Sequence, residues 1–475
     1  MITGSTMLNG PRRADLGFAH DARRSTHESS ATLETTTGPM KKNGRIDHPK
    51  TGSGVSQMTR FSHISLLLLL TACGGRVNGQ QPPTVAPSEV QVEISAPANI
   101  GVKCSLMLDR PRGKDLTDDD LKKIARYAAV NDRFCRLSSA QIARLRELHP
   151  GIFIFRYVNV ASGGPMVGLR EVRAHPEWVI LDPIGKPVPS GPGTRAPLLD
   201  SANEEWRTFL ADRCRAILVK GGYDGVLLDV VQMANKKPFA LRGIDPTTGR
   251  NYTLKGWRDA QYGLVAHMRK TLPAHKLIVA NSVGRGRTYF EEGASRFLEV
   301  ADGIVSEGFR GPIARPLNQH LHERDWQATV DMIRDVEKRG KYFVGYTKYL
   351  KGKFTDGGDK RDSDRFWFAS FLLGMGPRSY YSAVVHDDAN MHQTAESFDP
   401  QWSLALGAPI ADYKEKGGLY SREFQHGRVV VNPSDRGIEL DLPTPLRRVG
   451  AQGEPTGAPI RKLRVDGHRA ELLLE

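Results

Sequence analysis

Two acidic residues close apolar runs in a way that invites chemistry. Asp229 follows Val226-Leu227-Leu228, and Glu307 follows Gly303-Ile304-Val305-Ser306. A carboxyl group at the end of a buried strand is partly stripped of water, which strengthens its hold on a proton and fits it to donate one near neutral pH. A second carboxylate facing it serves as nucleophile or base. Cleavage of a glycosidic bond needs that division of labour: one group protonates the departing oxygen, the other meets the oxocarbenium-like centre. Either acid taken alone is better explained by an ion pair with an arginine inside the fold; it is the two together that point to catalysis.

Polar and aromatic residues at the ends of other apolar runs supply the surroundings. Arg156, Tyr157 and Asn159 lie in RYVNV, Asn281 in VANSV, Tyr346 and Lys348 in GYTKY, and Tyr381 in SYYS. With Asp109 and Asp200 they form the candidate substrate-binding set, because a sugar presents hydroxyls around an apolar ring face and calls for amide and basic donors beside aromatic platforms. Trp178 and Trp257 either stack on sugars or pack in the core. His386, Asp387 and Asp388 are too close in sequence to converge on one ion and read as a solvated loop. The GRGR run from Gly284 to Arg287 lacks the spacing of a phosphate loop, and no GxSxG elbow is present. The expectation is chemistry without metal or organic cofactor.

From about residue 100, short β-rich apolar runs alternate with helical patterns, the signature of βα units on a parallel sheet. Eight runs can be counted: IGVKCSLML, RFCRL, IFIFRYVNV, YDGVLLDVV, LIVANSV, GIVSEGF, KYFVGYTKY and RSYYSAV. Eight such units match the size of a (β/α)8 TIM barrel, whose active sites lie at the C-terminal ends of the strands; a doubly wound sheet is the alternative. A long irregular loop from about Ala161 to Asp200 points to function, since ordering it costs entropy. After Asp412 short alternating strands with turns replace the helices and predict a small antiparallel β-sandwich.

The 475 residues exceed one core and agree with two domains. We expect the barrel over 99–412 and the β-domain over 413–475. The net charge of +14 suits an acidic partner, but the Lys and Arg residues are scattered and no nucleic-acid motif accompanies them, so nucleic acid is not an expected partner. From Met58 the sequence MTRFSHISLLLLLTACGG has the layout of a secretory signal peptide, its apolar run too short to span a bilayer permanently. Leu70-Thr71-Ala72-Cys73 resembles a bacterial lipobox, which implies cleavage before Cys73, lipidation of its thiol, and a membrane anchor. Residues 58–73 are thus the leader and 74–98 a flexible tether rich in Gly, Gln and Pro. Residues 1–57 show no hydrophobic period and are expected to be a disordered or non-native extension. Gly74 resembles the outer-membrane-sorted class, placing the protein in the bacterial envelope, facing periplasm or exterior. Of the remaining cysteines, Cys104 and Cys135 fall in the first two predicted strands, where either a bridge or separate buried thiols would fit; Cys214 stands apart.

YDGVLLD around Asp229, LLDSANEEWR before it, DGIVSEGF around Glu307 and the terminal LYSREFQHGRVVVNPS together resemble hypothetical glycosyl hydrolase family 15. More distantly, they are similar to glycoside hydrolase family 114, the endo-α-1,4-polygalactosaminidases. The resemblance covers about residues 100 to 475. It implies a barrel acting on α-linked polysaccharide, with Asp229 matching the nucleophile and Glu307 the acid/base. The rival expectation from another class is a glycan-binding or scaffold lipoprotein without catalysis. A polysaccharide deacetylase is a third, which the absence of a His pair with ligand spacing disfavours.

Overall fold

The computed structural model describes residues 103–108, 116–133, 137–162, 167–191, 196–231, 241–313, 315–350, 359–386, 391–392 and 398–475. Cys73, Asp109, Cys135, the leader and the tether lie outside these residues, as do Asp387 and Asp388 and the side chain of His386.

Eight parallel strands form the barrel: β1 (Ser105–Leu108), β2 (Ala129–Asp132), β3 (Phe153–Asn159), β4 (Gly225–Asp229), β5 (Leu277–Val283), β6 (Gly303–Ser306), β7 (Tyr342–Leu350) and β8 (Ser379–His386). They pair in sequence order. The ring closes where Cys104 bridges Tyr381 in parallel fashion, with the Tyr381 N–H donating to the Lys103 carbonyl at 3.0 Å. Closure excludes the doubly wound alternative.

Alternation along each strand sorts the side chains into two cores. Met107, Ala129, Phe155, Tyr157, Leu227, Val279, Val305, Val344, Tyr346 and Tyr380 fill the inside. Leu106, Val130, Ile154, Val226, Leu228, Ile278, Ile304 and Phe343 belong to the larger core under the helices. That layer includes α1 (Asp118–Ile124), α2 (Ser139–Leu148), α3 (Glu204–Gly221), α4 (Leu254–Thr271), α5 (Gly286–Phe290), α6 (Glu323–Lys338) and α7 (Lys360–Gly374). Their ends follow sequence chemistry. Thr117 and Ser138 close capping boxes with Asp120 and Gln141, satisfying donors that the first helical turn leaves free. α3 stops where Gly222 takes a left-handed conformation, φ 73°, which a side chain would resist.

The second strand departs from the sequence expectation. It is Ala129-Val130-Asn131-Asp132 rather than RFCRL. Asn131 and Asp132 are both buried, so the strand carries too few apolar residues to be seen as one. Asp132 tolerates burial because it accepts hydrogen bonds from the Tyr223 hydroxyl at 2.8 Å and the Leu137 N–H at 3.1 Å. Cys104 and Cys214 are buried free thiols.

The C-terminal strands β9 (Lys414–Lys416), β10 (Leu419–Phe424), β11 (Gly427–Asn432), β12 (Ile438–Val449), β13 (Pro455–Val465) and β14 (Arg469–Leu474) form one antiparallel sheet in the order β9-β10-β11-β14-β12-β13. Both of its faces are apolar. Tyr420, Val429, Val431 and Leu472 join the core beneath α7, whereas Leu419, Val430, Leu463 and Leu473 form a separate cluster. Arg422 latches the sheet to the barrel, donating to the Leu372 and Met375 carbonyls at the end of α7, at 3.1 and 2.6 Å.

Candidate active site

The two ends of the barrel interior differ in kind. At the N-terminal end Phe153, Tyr342 and Tyr380 pack edge to face, with ring centres 5.6 and 6.3 Å from Phe153. At the C-terminal mouth the same alternation presents Tyr157, Asp229, Asn281, Glu307 and Lys348.

Asp229 is the most constrained of these. Its Oδ2 accepts from the Tyr157 hydroxyl at 2.5 Å and its Oδ1 from the Asn281 amide at 2.7 Å. Burial and the negative charge of Glu307 push the Asp229 carboxyl group above the ordinary aspartate range, while the two hydrogen bonds and the charge of Lys348 act in the opposite direction. Burial and the neighbouring Asp229 raise the Tyr157 hydroxyl well above its usual value, so it stays a donor. Glu307 stands at the rim with its side chain 24% exposed, and its Oε1 meets Lys348 Nζ at 2.9 Å.

Register brings the two acids level. Followed around the barrel, the strand pairs return to β4 about eight residues below their start, the shear of a TIM barrel, so the equator climbs about one residue per strand. Two steps from Asp229 reach Glu307. Their strands are separated only by β5, so the two backbones are roughly 10 Å apart, and both residues have the inward parity. Asp229 is half-buried and Glu307 partly exposed, whereas Tyr157 and Asn281, which hold Asp229, are buried. Asn281 therefore supports the acid from within the barrel rather than facing solvent.

The other expected ligands are dispersed. Tyr346 is buried inside the barrel beside Ser105 and Asn131; burial raises its hydroxyl, and the charges of Glu307 and Asp229 add to the rise. Asn159 spends its carbonyl on the Ala161 and Ser162 N–H groups and shapes the turn after β3. Arg156 and Tyr381 have the opposite parity to the interior residues. Arg156 lies over the Tyr223 ring at 5.9 Å, and Tyr381 packs on Phe368, Phe371 and Trp402 beneath the helices. Asp200 is buried in the long loop, accepting from the Tyr252 hydroxyl at 2.7 Å and the Ala202 N–H at 2.8 Å. Trp178 and Trp257 are both core residues, 2% and 0% exposed, and present no face for a sugar.

Two features escape the sequence reading. Arg133 lies just past β2 on the interior parity and acts electrostatically on Tyr157; placing β2 at Ala129–Asp132 would have put it among the candidates. Val230, immediately after Asp229, has φ 63°. A β-branched residue in that region carries strain of order 1–3 kcal/mol, and such strain gathers at functional sites. Among the described residues, no three His, Cys, Asp or Glu side chains gather as metal ligands would.

Residues 157–428, just over half of the chain, match the sequence model of hypothetical glycosyl hydrolase family 15. The chain belongs to that family. The family 15 match begins on β3 and includes both acids, Tyr157, Asn281 and Lys348. No curated protein sequence matches this chain. Among solved structures, the glycoside hydrolase domain of PelA from Pseudomonas aeruginosa is 16% identical, with 61% of this chain aligned to 95% of that one at a TM-score of 0.38. The α-amylase of Geobacillus thermoleovorans, solved with acarbose, is 11% identical over 79% of this chain and 98% of its own, at a TM-score of 0.46. The likeness of this family 15 chain to either is one of fold alone.

Proposed function

We propose that this protein is a glycoside hydrolase that cleaves a bacterial polysaccharide, either an exopolysaccharide or a cell-wall glycan, by a two-carboxylate mechanism. The observation that carries the reading is the pairing of Asp229 and Glu307 at one level of the barrel mouth, with charges that act on one another. Asp229, its plane set by Tyr157 and Asn281, is the nucleophile; burial makes its carboxylate more basic and so a stronger attacking group. Glu307, at the wetter rim, is the acid/base, placed to take up a proton from water and pass it to the leaving oxygen. Lys348 holds Glu307 in position.

The test is release of reducing ends from a panel of purified bacterial polysaccharides that includes amino-sugar polymers. Asp229→Asn and Glu307→Gln should each abolish cleavage while leaving the folded signal by circular dichroism unchanged. Full activity in both variants refutes the assignment.

The Lys348 contact also favours a second reading, a glycan-binding barrel without catalysis, because it occupies the Glu307 oxygen that an acid/base would turn to the substrate. Binding of a panel polysaccharide with no product over a long incubation would select it. An envelope location is part of the proposal and rests on the segment ending at Cys73; replacing Cys73 by Ser should abolish incorporation of labelled palmitate.

A further inference from the structure

Val230 is an odd choice for a left-handed turn. Glycine adopts φ 63° without strain and asparagine tolerates it, whereas a branched Cβ crowds the backbone there. A turn with no other duty would not need valine. The side chain has a destination: it packs on the cluster formed by Ala161, Ile180, Val188, Leu198, Tyr252, Trp257 and Ala260. Four of these come from the long loop between β3 and α3 and three from the segment that leads into α4 and its first turns.

The geometry on either side of Asp229 explains what the grip does. In a regular strand residue 230 would point outward into the core under the helices. The left-handed turn carries it instead to the loop cluster, and Val231 returns to the core under the helices. On the other side the Asp229 carbonyl accepts from the Val160 N–H at 3.2 Å. The two ends of the same loop are joined, since the Leu199 N–H donates to the Ala161 carbonyl at 2.7 Å. Asp229 is thus held from β3 before the turn and from the loop cluster after it.

We propose that Val230 is a positioning residue: its strained turn, gripped by the apolar cluster of the long loop, fixes the backbone that aims the Asp229 carboxyl group at Tyr157 and Asn281. This rests on the reading of Asp229 as catalytic, and it gives the long loop a function that does not require it to touch sugar.

High-resolution crystal structures of the wild type and Val230→Gly, without ligand, test the geometry. Glycine relieves the strain and removes the grip, so the Tyr157–Asp229 separation should open beyond hydrogen-bond reach. Reducing-end release from the panel polysaccharide that wild type cleaves fastest tests the consequence. In Val230→Gly, kcat should fall about tenfold or more with KM within about threefold, because a displaced group costs transition-state binding rather than ground-state binding. Tyr157→Phe should then cost less in that background than in wild type, a non-additivity that mere destabilisation would not produce. An intact Tyr157–Asp229 contact with kcat near wild type overturns the proposal, whatever happens to Tm. If Val230→Gly does not fold, Val230→Ala and Leu198→Ala weaken the same grip and are read the same way. If wild type cleaves no panel glycan, the hydrolase reading fails, and the crystallographic comparison still decides whether Val230 aims Asp229.

Discussion

The two ends of one barrel are built from the same eight strands and the same inward parity, yet they do opposite things. The N-terminal end is plugged by Phe153, Tyr342 and Tyr380, with Phe155 in the layer above, and the acids that begin its strands are engaged by arginines, Asp224 by Arg146 and Asp302 by Arg269. The C-terminal mouth keeps two acids, a lysine and a tyrosine hydroxyl close together, and tolerates a strained valine beside one of them. Like charges facing one another and a left-handed Val230 both cost stability. The aromatic end and the helical layer provide it. The contrast supports the proposed site without reference to any relative: the aromatic end serves the fold, and the end that gathers charges and strain is the candidate for chemistry.

The largest effect that would sharpen this contrast is on turnover. Glu307→Gln should lower the cleavage rate by about three orders of magnitude or more with little change in Tm, since loss of an acid/base or nucleophile removes most of the catalytic advantage. At the other end Phe155→Ala should cost about 3–5 kcal/mol of stability, measured by denaturant unfolding, because a buried aromatic leaves a cavity that a closed barrel fills poorly. A large loss of stability from Glu307→Gln and none from Phe155→Ala would reverse the roles assigned to the two ends.

How far the sequence revealed these ends depended on what each strand had to bury. β3 to β8 were legible because their inward and outward residues are both apolar for most of their length, leaving Asp229 and Glu307 conspicuous at the stops. β2 was hidden because it buries Asn131 and Asp132, and with it went the placement of Arg133. Arg156 and Tyr381 entered the candidate set through nearness in sequence to strand ends. Parity counted from Phe155 would have turned Arg156 outward, and parity counted from Tyr380 turns Tyr381 outward in the same way. Asp200 belongs to the packing of the long loop, which sequence marks as long and says little more about. Nothing in the residue type of Val230 announces a positive φ; that conformation is imposed by tertiary contacts.

Two titrations carry the comparison further, with opposite signs. His320 lies in the loop after β6 and stacks face to face on His468 of the C-terminal sheet, with ring centres 3.8 Å apart. Burial, then the charges of His468, Arg469 and Arg310, lower its pKa to about 4, with Asp435 opposing. The unfolded chain therefore takes up a proton near pH 6.5 that the folded protein refuses until about pH 4. Stability is present above that window and lost as pH falls through it. His320→Phe, which keeps a ring over His468, should flatten the fall in Tm between pH 6.5 and 4. An unchanged slope would show that His320 does not carry it.

Asp229 behaves in the reverse sense. Its folded-state pKa is raised, chiefly by burial and then by Glu307, so the folded protein holds the proton to higher pH than the unfolded chain and loses stability as pH rises from about 4 through the folded value. Asp229→Asn should therefore raise Tm at pH 7 by ~2 °C while removing activity, the smallest of these effects. A lower Tm in this variant would mean that Tyr157, Asn281 and Lys348 stabilise the ionised acid by more than burial and Glu307 destabilise it.

The central claim is that Asp229 and Glu307 act as one unit on a glycan. The measurement that addresses it most directly is the initial rate of reducing-end release by wild type, Asp229→Asn, Glu307→Gln and the double variant on one polysaccharide. All three variants should share nearly the same residual rate, because a unit missing one member is already broken. Losses that multiply in the double variant, or single variants that still turn over at the wild-type rate, would contradict it.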